Sequence, residues 1–191
     1  MRTILFLSLM VVVAACSSVP PPPRNLNDAC AIQAERPRWV KEMAAVEKKW
    51  GVPVHVQMAT IYQESKFKGD ARTPLDFKLG VIPMGRDSSA YGYSQAIDST
   101  WDWYRRDTGR RGAKRDNFSD AVDFMGWYMN ESNERLSISK SDTRAQYLAY
   151  HDGHSGYARQ TYKRKGWLMR ISSEVASRAD MYEEQLAGCQ R

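Results

Sequence analysis

Glu64 is the first residue of this sequence whose type and position indicate catalysis. It lies in the stretch TIYQESKF, within a predicted helix that opens at Pro53 and carries Met58 and Ile61 on one apolar stripe. At about 100° per residue, Glu64 falls roughly 60° from Ile61, at the rim of that stripe. A carboxylate there can face a cleft, where partial burial raises its pKa and lets it act as a general acid near neutral pH. The alternative is a solvated surface glutamate, and this segment alone does not exclude it.

Two later motifs change the interpretation of this glutamate. The stretches AYGYSQAIDSTW, from Ala90 to Trp101, and AYHDG, from Ala149 to Gly153, follow ESKF, from Glu64 to Phe67. In this order and approximate spacing, the three motifs resemble the signature of the soluble lytic transglycosylase family, whose goose-type lysozyme-like enzymes cleave peptidoglycan. The resemblance extends from about Trp39 to Tyr162. It implies a mainly α, lysozyme-like single domain with a long loop flanking the active-site groove.

The resemblance also implies roles for individual residues. Glu64 matches the family's sole catalytic carboxylate, which protonates the oxygen between N-acetylmuramic acid and N-acetylglucosamine and then serves as a base. Tyr150 matches a tyrosine whose hydroxyl approaches that carboxyl. The implied substrate-binding residues are Ser65, Gly92, Tyr93, Gln95 and His151. Of these, Tyr93 stands where the family usually has leucine, and His151 stands where it has asparagine.

Packing remains the alternative interpretation for several of these positions. A tyrosine at the end of a helix, such as Tyr150, is commonly half-buried packing, and Ser65 can simply allow two helices to approach closely. Gln95 can make a polar contact before a helix. Six aromatic residues could offer apolar faces to sugar rings, although most have the helical spacing that core packing produces: Trp101, Trp103, Tyr104, Trp127, Tyr128 and Tyr150.

A single carboxylate is unusual for a glycosidase, because most such enzymes use two, and their separation sets the stereochemical outcome. No obvious second carboxylate lies near the three motifs. The resemblance implies that the substrate's acetamido oxygen assists at the anomeric carbon and that the muramoyl 6-hydroxyl then attacks, which gives a 1,6-anhydro product without water. We therefore expect a lytic transglycosylase with no cofactor. The alternatives are a hydrolytic lysozyme-type muramidase and a catalytically inactive peptidoglycan-binding lipoprotein.

Helical periodicity dominates the elements that must position these residues. Apolar residues at helical spacing end at Trp50, and Gly51 follows where a left-handed cap would fall. The helix that opens at Pro53 comes next. The later predicted helices are Ser99 to Arg106, Ser119 to Arg135 with Ser119 as cap, Asp142 to Tyr150, and about Trp167 to Leu186. Strand signals are confined to short pieces near Gly80 to Pro83. The segment between Glu64 and Gln95 is predicted to be a long loop, of the kind that often has a function.

The N-terminus has the pattern of an export signal. Met1 and Arg2 precede an apolar run, and small residues lead to Cys16. The run of about 13 residues is shorter than the roughly 20 that a helix needs to cross a bilayer. The ending VAAC resembles a bacterial lipoprotein signal, which implies a signal peptide over 1–15, acylation of Cys16 and, because Ser17 follows, anchoring to the outer membrane facing the periplasm. A simple secretory leader is the alternative.

Four consecutive prolines follow in the stretch SSVPPPPRNLND. Such runs favour the extended polyproline conformation, which rises about 3.1 Å per residue. We therefore predict that residues 16–33 form a lipidated tether that holds a domain over 34–191 some tens of Å from the membrane. Plain disorder of this segment is the alternative.

The cysteines fit an oxidising compartment. If lipidation uses Cys16, Cys30 and Cys189 remain as an even pair near the two ends of the domain. We predict that they form a disulfide, with two unpaired thiols as the alternative.

The formal net charge of +6 is a modest surplus that favours anionic polymers or surfaces without identifying one. We expect the partners to be peptidoglycan glycan strands and a membrane reached through the lipid anchor at Cys16, and we expect a monomer. Export excludes nucleic acid on grounds of compartment. His151 and His154 have a spacing that metal sites use, but no third ligand completes a shell, so no metal is expected.

Overall fold

Helices form most of the part of the chain that the computed structural model describes, residues 19–78 and 82–189. In chain order the elements are α1 (Ala29–Glu35), α2 (Pro37–Trp50), α3 (Val54–Ser65), β1 (Asp76–Lys78), β2 (Ile82–Gly85), α4 (Asp98–Asp107), α5 (Phe118–Leu136), α6 (Thr143–Ala158), a short 3-10 helix (Thr161–Arg164) and α7 (Gly166–Cys189). The mainly α prediction is confirmed. The predicted signal peptide and Cys16 lie outside the described residues.

Most predicted helix boundaries agree with the structure to within a few residues. Gly51 ends α2 in the left-handed conformation, with φ of 75°, as its type predicts. Pro53 precedes α3 as its cap residue rather than occupying its first turn. The predicted cap at Ser119 is wrong, because the Asn117 side chain accepts a hydrogen bond from the Asp120 backbone N–H and α5 begins at once after it.

The helix predicted to end at Tyr150 continues to Ala158, and it is broken on the way. Gly153 has φ of 73° and ψ of 157°, which interrupts the helical backbone just after the AYHD stretch. A residue with a side chain would adopt this positive φ only at a cost in conformational free energy, whereas glycine adopts it freely. The break separates the part of α6 that carries Tyr150 from the part that leads to the 3-10 helix.

The core surrounds α3, which packs mainly against α7. Every residue from Val56 to Ile61 is buried, including Gln57 and Thr60. Gln57 is accommodated because its amide nitrogen donates to the carbonyl oxygens of Met43 and Val52. Burying a large apolar side chain stabilises a fold by about 1.5–3 kcal/mol, so α3 is a rigid support for the glutamate near its C-terminal end.

The segment predicted to be one long irregular loop contains a hairpin. Strands β1 and β2 pair in antiparallel register, with Phe77 opposite Pro83 and Lys78 opposite Ile82. Gly80, where a strand signal was predicted, lies outside the described residues. Outside the hairpin, an isolated antiparallel bridge between Arg72 and Tyr91 joins the chain before β1 to the chain after β2.

The N-terminal boundary of the domain differs from the prediction at residue 34. Residues 29–33, assigned from sequence to the tether, lie in α1, and both Ala29 and Ile32 are completely buried in the core. The predicted disulfide is present: Cys30 and Cys189 join α1 to the end of α7, with a Cα–Cα distance of 5.4 Å. Among the described helices, none has the length and apolar character needed to span a membrane.

Candidate active site

A cleft of about 460 Å³ opens where α3, α5, α6 and the start of α4 meet. Its walls combine one glutamate with aromatic rings and amide, hydroxyl and imidazole groups. The lining residues are Glu64, Ser88, Ala90, Gln95, Ala96, Ile97, Thr100, Phe124, Tyr128, Tyr150, His151, Asp152 and Gly153. The three sequence motifs therefore converge on one cavity, although they lie far apart in the chain.

Glu64 reaches the cleft from the last turn of α3. The helix ends one residue later because Lys66 and Phe67 both take left-handed backbone conformations, with φ of 52° and 60°. Each such conformation costs a residue with a side chain about 1–2 kcal/mol. The complete burial of the Phe67 ring offsets part of that cost. This sharp exit leaves Glu64 beside the cleft instead of inside a continuing helix.

The Glu64 carboxyl has the environment of a proton donor. Its Oε1 atom is buried and has no hydrogen-bond partner within the described part of the chain. Desolvation by burial raises the pKa of Glu64 from 4.5 to about 7, while interaction with the Tyr147 hydroxyl and the positive charge of Lys66 partly oppose the rise. The group can therefore both hold and release a proton near neutral pH.

Tyr147 is a residue that the sequence motifs did not identify. It is almost completely buried, and its interaction with Glu64 raises the pKa of its own hydroxyl, as does burial, which is the larger cause. It lies three residues before Tyr150 in α6, so the two side chains project from neighbouring positions on one helix face. That spacing is the signal by which it could have been found.

Tyr150 lines the cleft, and its hydroxyl has a hydrogen-bond partner in the motif that contains Gln95. It donates a hydrogen bond of 2.6 Å to the carbonyl oxygen of Ser94. The ring packs edge-on against Tyr128, with 5.3 Å between ring centroids. After burial, the charge of Glu64 is the next cause that raises the pKa of the Tyr150 hydroxyl, and Tyr147 also interacts with the Glu64 carboxyl. The role implied for Tyr150, a hydroxyl that approaches Glu64, stays a prediction.

Gln95 faces the cleft from a tight turn. Its backbone is left-handed, with φ of 49°. Its amide nitrogen donates to the carbonyl oxygens of Ala71 and Gly92, at 2.9 and 2.8 Å. With the nitrogen engaged by these two carbonyl groups, the amide oxygen is the group that can accept a hydrogen bond from a ligand.

Three of the predicted substrate-binding residues do not line the cleft. Ser65 is buried and its hydroxyl donates to the carbonyl oxygen of Ile61 within α3. Tyr93 is completely buried, and its ring lies edge-on against Trp39 and Phe118. Gly92 is buried behind the cleft wall. Because the family motif fixes only chain position, it could not distinguish these packing roles from contact with a ligand.

His151 lies at the exposed end of the cleft. Its ring packs edge-on against Trp167, with 5.0 Å between centroids, and Trp167 is 48% exposed. Partial burial and the nearby charge of Lys165 lower the pKa of His151. The side chain is therefore a neutral imidazole at pH 7, able to donate one hydrogen bond and accept another.

The second acidic residue of the cleft, Asp152, is already paired. Its side chain is 2% exposed and forms an ion pair with Lys165, and the Thr161 hydroxyl also donates to it. Burial acts to raise the pKa of Asp152, but these hydrogen bonds outweigh that effect and keep the pKa below its ordinary value. Among the residues that line the cleft, Glu64 is therefore the acid able to hold a proton at neutral pH.

The two histidines of the HDGH stretch contact different residues and do not form a common site. His154 stacks on the ring of Tyr128 at 4.3 Å, and its Nε2 lies 2.9 Å from the Ser132 hydroxyl oxygen. His151 instead contacts Trp167. Over residues 19–78 and 82–189, no group of three or more His, Cys, Asp or Glu side chains is placed to bind a metal ion.

Of the aromatic residues considered as sugar-binding faces, Tyr128 and Tyr150 line the cleft. Phe124 joins them, one helical turn before Tyr128 on α5. Trp101, Tyr104 and Trp127 are buried in a cluster that packs α4 against α5. The cleft thus has an aromatic wall on a buried aromatic support, which suits the apolar faces of pyranose rings.

Comparison with known protein families gives a match. A family model described as "Transglycosylase SLT domain" matches residues 4–189 of the chain. A search of curated proteins finds none that matches.

Proposed function

The chain belongs to the transglycosylase SLT domain family, and from this premise we propose that it is a peptidoglycan lytic transglycosylase. The bond cleaved is the β-1,4 link between N-acetylmuramic acid and N-acetylglucosamine, and the product carries 1,6-anhydro-N-acetylmuramic acid. Glu64 is the single general acid and base of the reaction. No cofactor takes part.

The observation that supports this proposal best is the state of Glu64. Its pKa of about 7 leaves a substantial fraction of the carboxyl protonated at neutral pH, inside a cleft with aromatic walls. General acid–base assistance of this kind contributes about 10²- to 10⁴-fold to a rate. An acid with the ordinary pKa of 4.5 would be almost wholly ionised at pH 7 and could not donate.

The proposed reaction uses that one carboxyl twice. Glu64 gives its proton to the glycosidic oxygen as the bond to the anomeric carbon breaks, while the substrate's acetamido oxygen assists at that carbon. The resulting carboxylate then takes the proton of the muramoyl 6-hydroxyl, whose oxygen attacks the anomeric carbon. Glu64 is protonated again at the end, and no water is consumed. The pairing of Asp152 with Lys165 is consistent with a scheme that needs no second carboxylate.

The other cleft residues hold the glycan in this scheme. The Gln95 amide oxygen accepts from a sugar N–H or O–H, and the neutral His151 imidazole hydrogen-bonds near the exposed end. Tyr147 interacts with Glu64, and Tyr150 fixes the wall segment that contains Ser94. Phe124 and Tyr128 pack against the sugar rings.

We also propose that the chain acts as a lipoprotein, anchored through Cys16 in the outer membrane and facing the periplasm. The disulfide between Cys30 and Cys189 fits an oxidising compartment. Peptidoglycan strands are the substrate available there, and the chain acts on them as a monomer.

Digestion of purified sacculi followed by mass spectrometry tests the enzymatic proposal. Release of muropeptides ending in 1,6-anhydro-N-acetylmuramic acid is the expected result. Release of reducing ends would instead establish a lysozyme-type hydrolase. Binding to sacculi without release would indicate an inactive glycan-binding protein.

Two matched variants make the assay specific. Glu64→Gln removes the proposed acid and is expected to lower release at least 10²-fold. Glu47→Gln makes the same chemical change at an exposed position on α2, outside the cleft, and is expected to retain full activity. Equal activity of the two variants would contradict the assignment of Glu64.

A further inference from the structure

The proline-rich segment does not extend away from the domain but lies along its surface. Val19 packs against the main core cluster, directly over Gly69. A Cβ atom added to Gly69 would lie 2.5 Å from a Val19 methyl carbon and 2.7 Å from the Tyr93 ring, so only glycine permits this approach. Pro23 is buried as well.

Hydrogen bonds hold the same segment along its length. Arg36 donates to the carbonyl oxygen of Pro21 at 2.9 Å, and the backbone N–H of Arg24 donates to Glu35 at 3.0 Å. Further on, the carbonyl oxygen of Asn27 accepts from Gln185 at 3.0 Å. We call residues 19–28 the strap.

The prolines favour this docked state. Proline has few backbone conformations in the unfolded chain, so ordering a run of four costs less entropy than ordering four other residues. The strap is therefore part of the domain. This differs from the sequence-based expectation of a spacer that separates the domain from the membrane by some tens of Å.

Docking of the strap strictly limits the position of Cys16. A fully extended chain spans at most about 3.3–3.6 Å per residue, so the three steps from Cys16 to Val19 cover about 10 Å. Anything attached to Cys16 must remain within that distance of the surface that surrounds Val19. A free chain of a dozen residues would reach about 40 Å.

The surface around Val19 carries charged side chains of both signs, which can contact the phosphate and ammonium groups of a zwitterionic lipid headgroup layer. Two grooves flank Val19 and Pro20, and their walls contain three basic and three acidic residues: Arg38, Lys68, Lys114, Glu42, Asp70 and Asp116. In the described part of the chain, Lys68 and Lys114 have no carboxylate within ion-pair distance, whereas Arg38 pairs with Glu42 at 3.0 Å.

We propose that this surface, which we call the Val19 face and define by Val19, Arg38, Lys68 and Lys114, is the side of the domain that rests on the membrane. The inference depends on the proposed lipid anchor at Cys16. The strap sets the orientation, and the partner is a lipid surface. The domain then acts on glycan strands that lie close to the membrane.

Lysine footprinting on vesicles tests the orientation. The mature chain, beginning at Cys16, is coupled through its one thiol outside the disulfide to a maleimide headgroup lipid in phosphatidylcholine vesicles. Brief acetylation followed by mass spectrometry then reports the reactivity of each lysine. We expect Lys68 and Lys114 to react at least threefold more slowly than in the same chain capped with a soluble maleimide. Lys163, which is exposed on the 3-10 helix, should be unchanged and serves as the internal control.

A second variant distinguishes protection that depends on the docked strap from general protection of lysines by a nearby vesicle. Insertion of twelve Gly and Ser residues between Ser18 and Val19 leaves the strap docked but lengthens the connection to the lipid to roughly 50 Å. Lys68 and Lys114 should then regain full reactivity. Unprotected lysines in the parent chain would overturn the proposal, and so would equal protection of Lys163 or protection that persists after the insertion. Because coupling is chemical, this result is independent of the sacculus assay, and either proposal can fail alone.

Discussion

The Tyr150 hydroxyl donates to the carbonyl oxygen of Ser94 at 2.6 Å, which ties α6 to the chain segment on the other side of the cleft. The tyrosine matched to the catalytic motif thus holds the wall in place, and Tyr147, one helical turn earlier, is the tyrosine whose hydroxyl lowers the pKa of Glu64. The two hydroxyls therefore have separable functions. One sets the shape of the cleft, and the other affects the proton affinity of the acid.

Replacing Tyr147 with phenylalanine should change the pH dependence of cleavage. The Tyr147 hydroxyl favours the ionised form of Glu64 and so lowers its pKa, while burial raises it to about 7. Removal of the hydroxyl should raise that pKa further, by about half a unit to one unit. Since activity needs the protonated acid, the loss of rate with increasing pH should move to higher pH by the same amount. Rates of anhydro-muropeptide release between pH 5 and 9 measure the shift.

Tyr150→Phe is the matched control for this experiment. It deletes a hydroxyl that is bonded to Ser94. We expect it to lower the rate by weakening the cleft wall, without moving the midpoint of the pH profile. An equal shift in both variants would show that the two tyrosines do not have separate functions.

Glu64→Gln should stabilise the protein at alkaline pH while it removes activity. The folded-state pKa of Glu64 is about 7, against an ordinary value of 4.5, so the folded protein binds more protons between these limits. Stability contributed by the protonated group is complete below about pH 4.5 and is lost as the pH rises through 7. The glutamine variant, which cannot ionise, should avoid this loss. Its unfolding free energy at pH 8 should exceed the parent's by up to about 3 kcal/mol.

Urea denaturation at pH 4 and pH 8 measures this difference. At pH 4 the carboxyl is protonated in the folded state, so the parent and the variant should agree to within about 0.5 kcal/mol. A variant that is less stable than the parent at pH 8 would contradict the burial of Glu64. Glu47→Gln, at an exposed position, should show no such dependence on pH.

Periodicity predicted the helix that carries Glu64, and the order of the motifs predicted which chain segments meet it. Both are local signals: spacing along one helix, and short runs of residues around Gln95 and Tyr150. The structure brings these segments together around a single cavity. The even pair of cysteines likewise predicted the disulfide between Cys30 and Cys189.

Contacts between distant parts of the chain were not predictable in this way. Tyr93 fits the motif by position, but the direction of its ring depends on Trp39 and Phe118, which lie on two other helices. Tyr147 carries no motif, and its importance follows from the position of α6 beside α3. The strap is the clearest case, since composition indicates an extended proline segment but cannot show that Gly69 provides the surface that binds it.

Gly92→Ala should be strongly destabilising for two reasons that act together. The residue has φ of +80°, which costs alanine about 1–2 kcal/mol. The added Cβ would also lie 2.1 Å from the carbonyl oxygen of Arg115, and this backbone atom cannot move without shifting the loop before α5. We expect a loss of about 2–4 kcal/mol of unfolding free energy, measured by urea denaturation.

Gly153→Ala separates the two contributions. Its φ of +73° is similar, but an added Cβ would have no atom within 4 Å. Its ψ of 157° lies in a region that is populated essentially by glycine alone, so the loss should be limited to a conformational cost of about 1–3 kcal/mol. A loss at Gly92 of no more than about 1–2 kcal/mol would mean that the contact with Arg115 contributes nothing.

Asp123→Ala should destabilise the packing of α2 and α4 against α5, the helix that carries Phe124 and Tyr128. This buried carboxylate on α5 accepts hydrogen bonds from four side chains on three segments of the chain: Lys49, Trp50, Tyr104 and Arg110. Its removal leaves Trp50 and Tyr104 without this partner, whereas Arg110 keeps Asp120 and Lys49 is 47% exposed to water. We therefore expect a loss of about 1–3 kcal/mol, the usual cost of leaving buried donors unpaired. The loss should appear as a lower urea midpoint at pH 7. Asp102→Ala, which removes an exposed partner of Arg105 on α4, is the control and should cost less than about 1 kcal/mol.

The pH dependence of this loss follows from the ionisation of Asp123. Burial acts to raise its pKa, but the hydrogen bonds from Lys49, Tyr104 and Trp50 outweigh burial and lower the pKa below its ordinary value of 3.8. A lowered pKa means that the ionised group stabilises the fold above pH 3.8 and that this contribution is lost as the pH falls through the folded-state pKa. The difference between the parent and Asp123→Ala should therefore be constant from pH 5 to 8 and shrink below about pH 4. A difference that grows on acidification would contradict the ionised network.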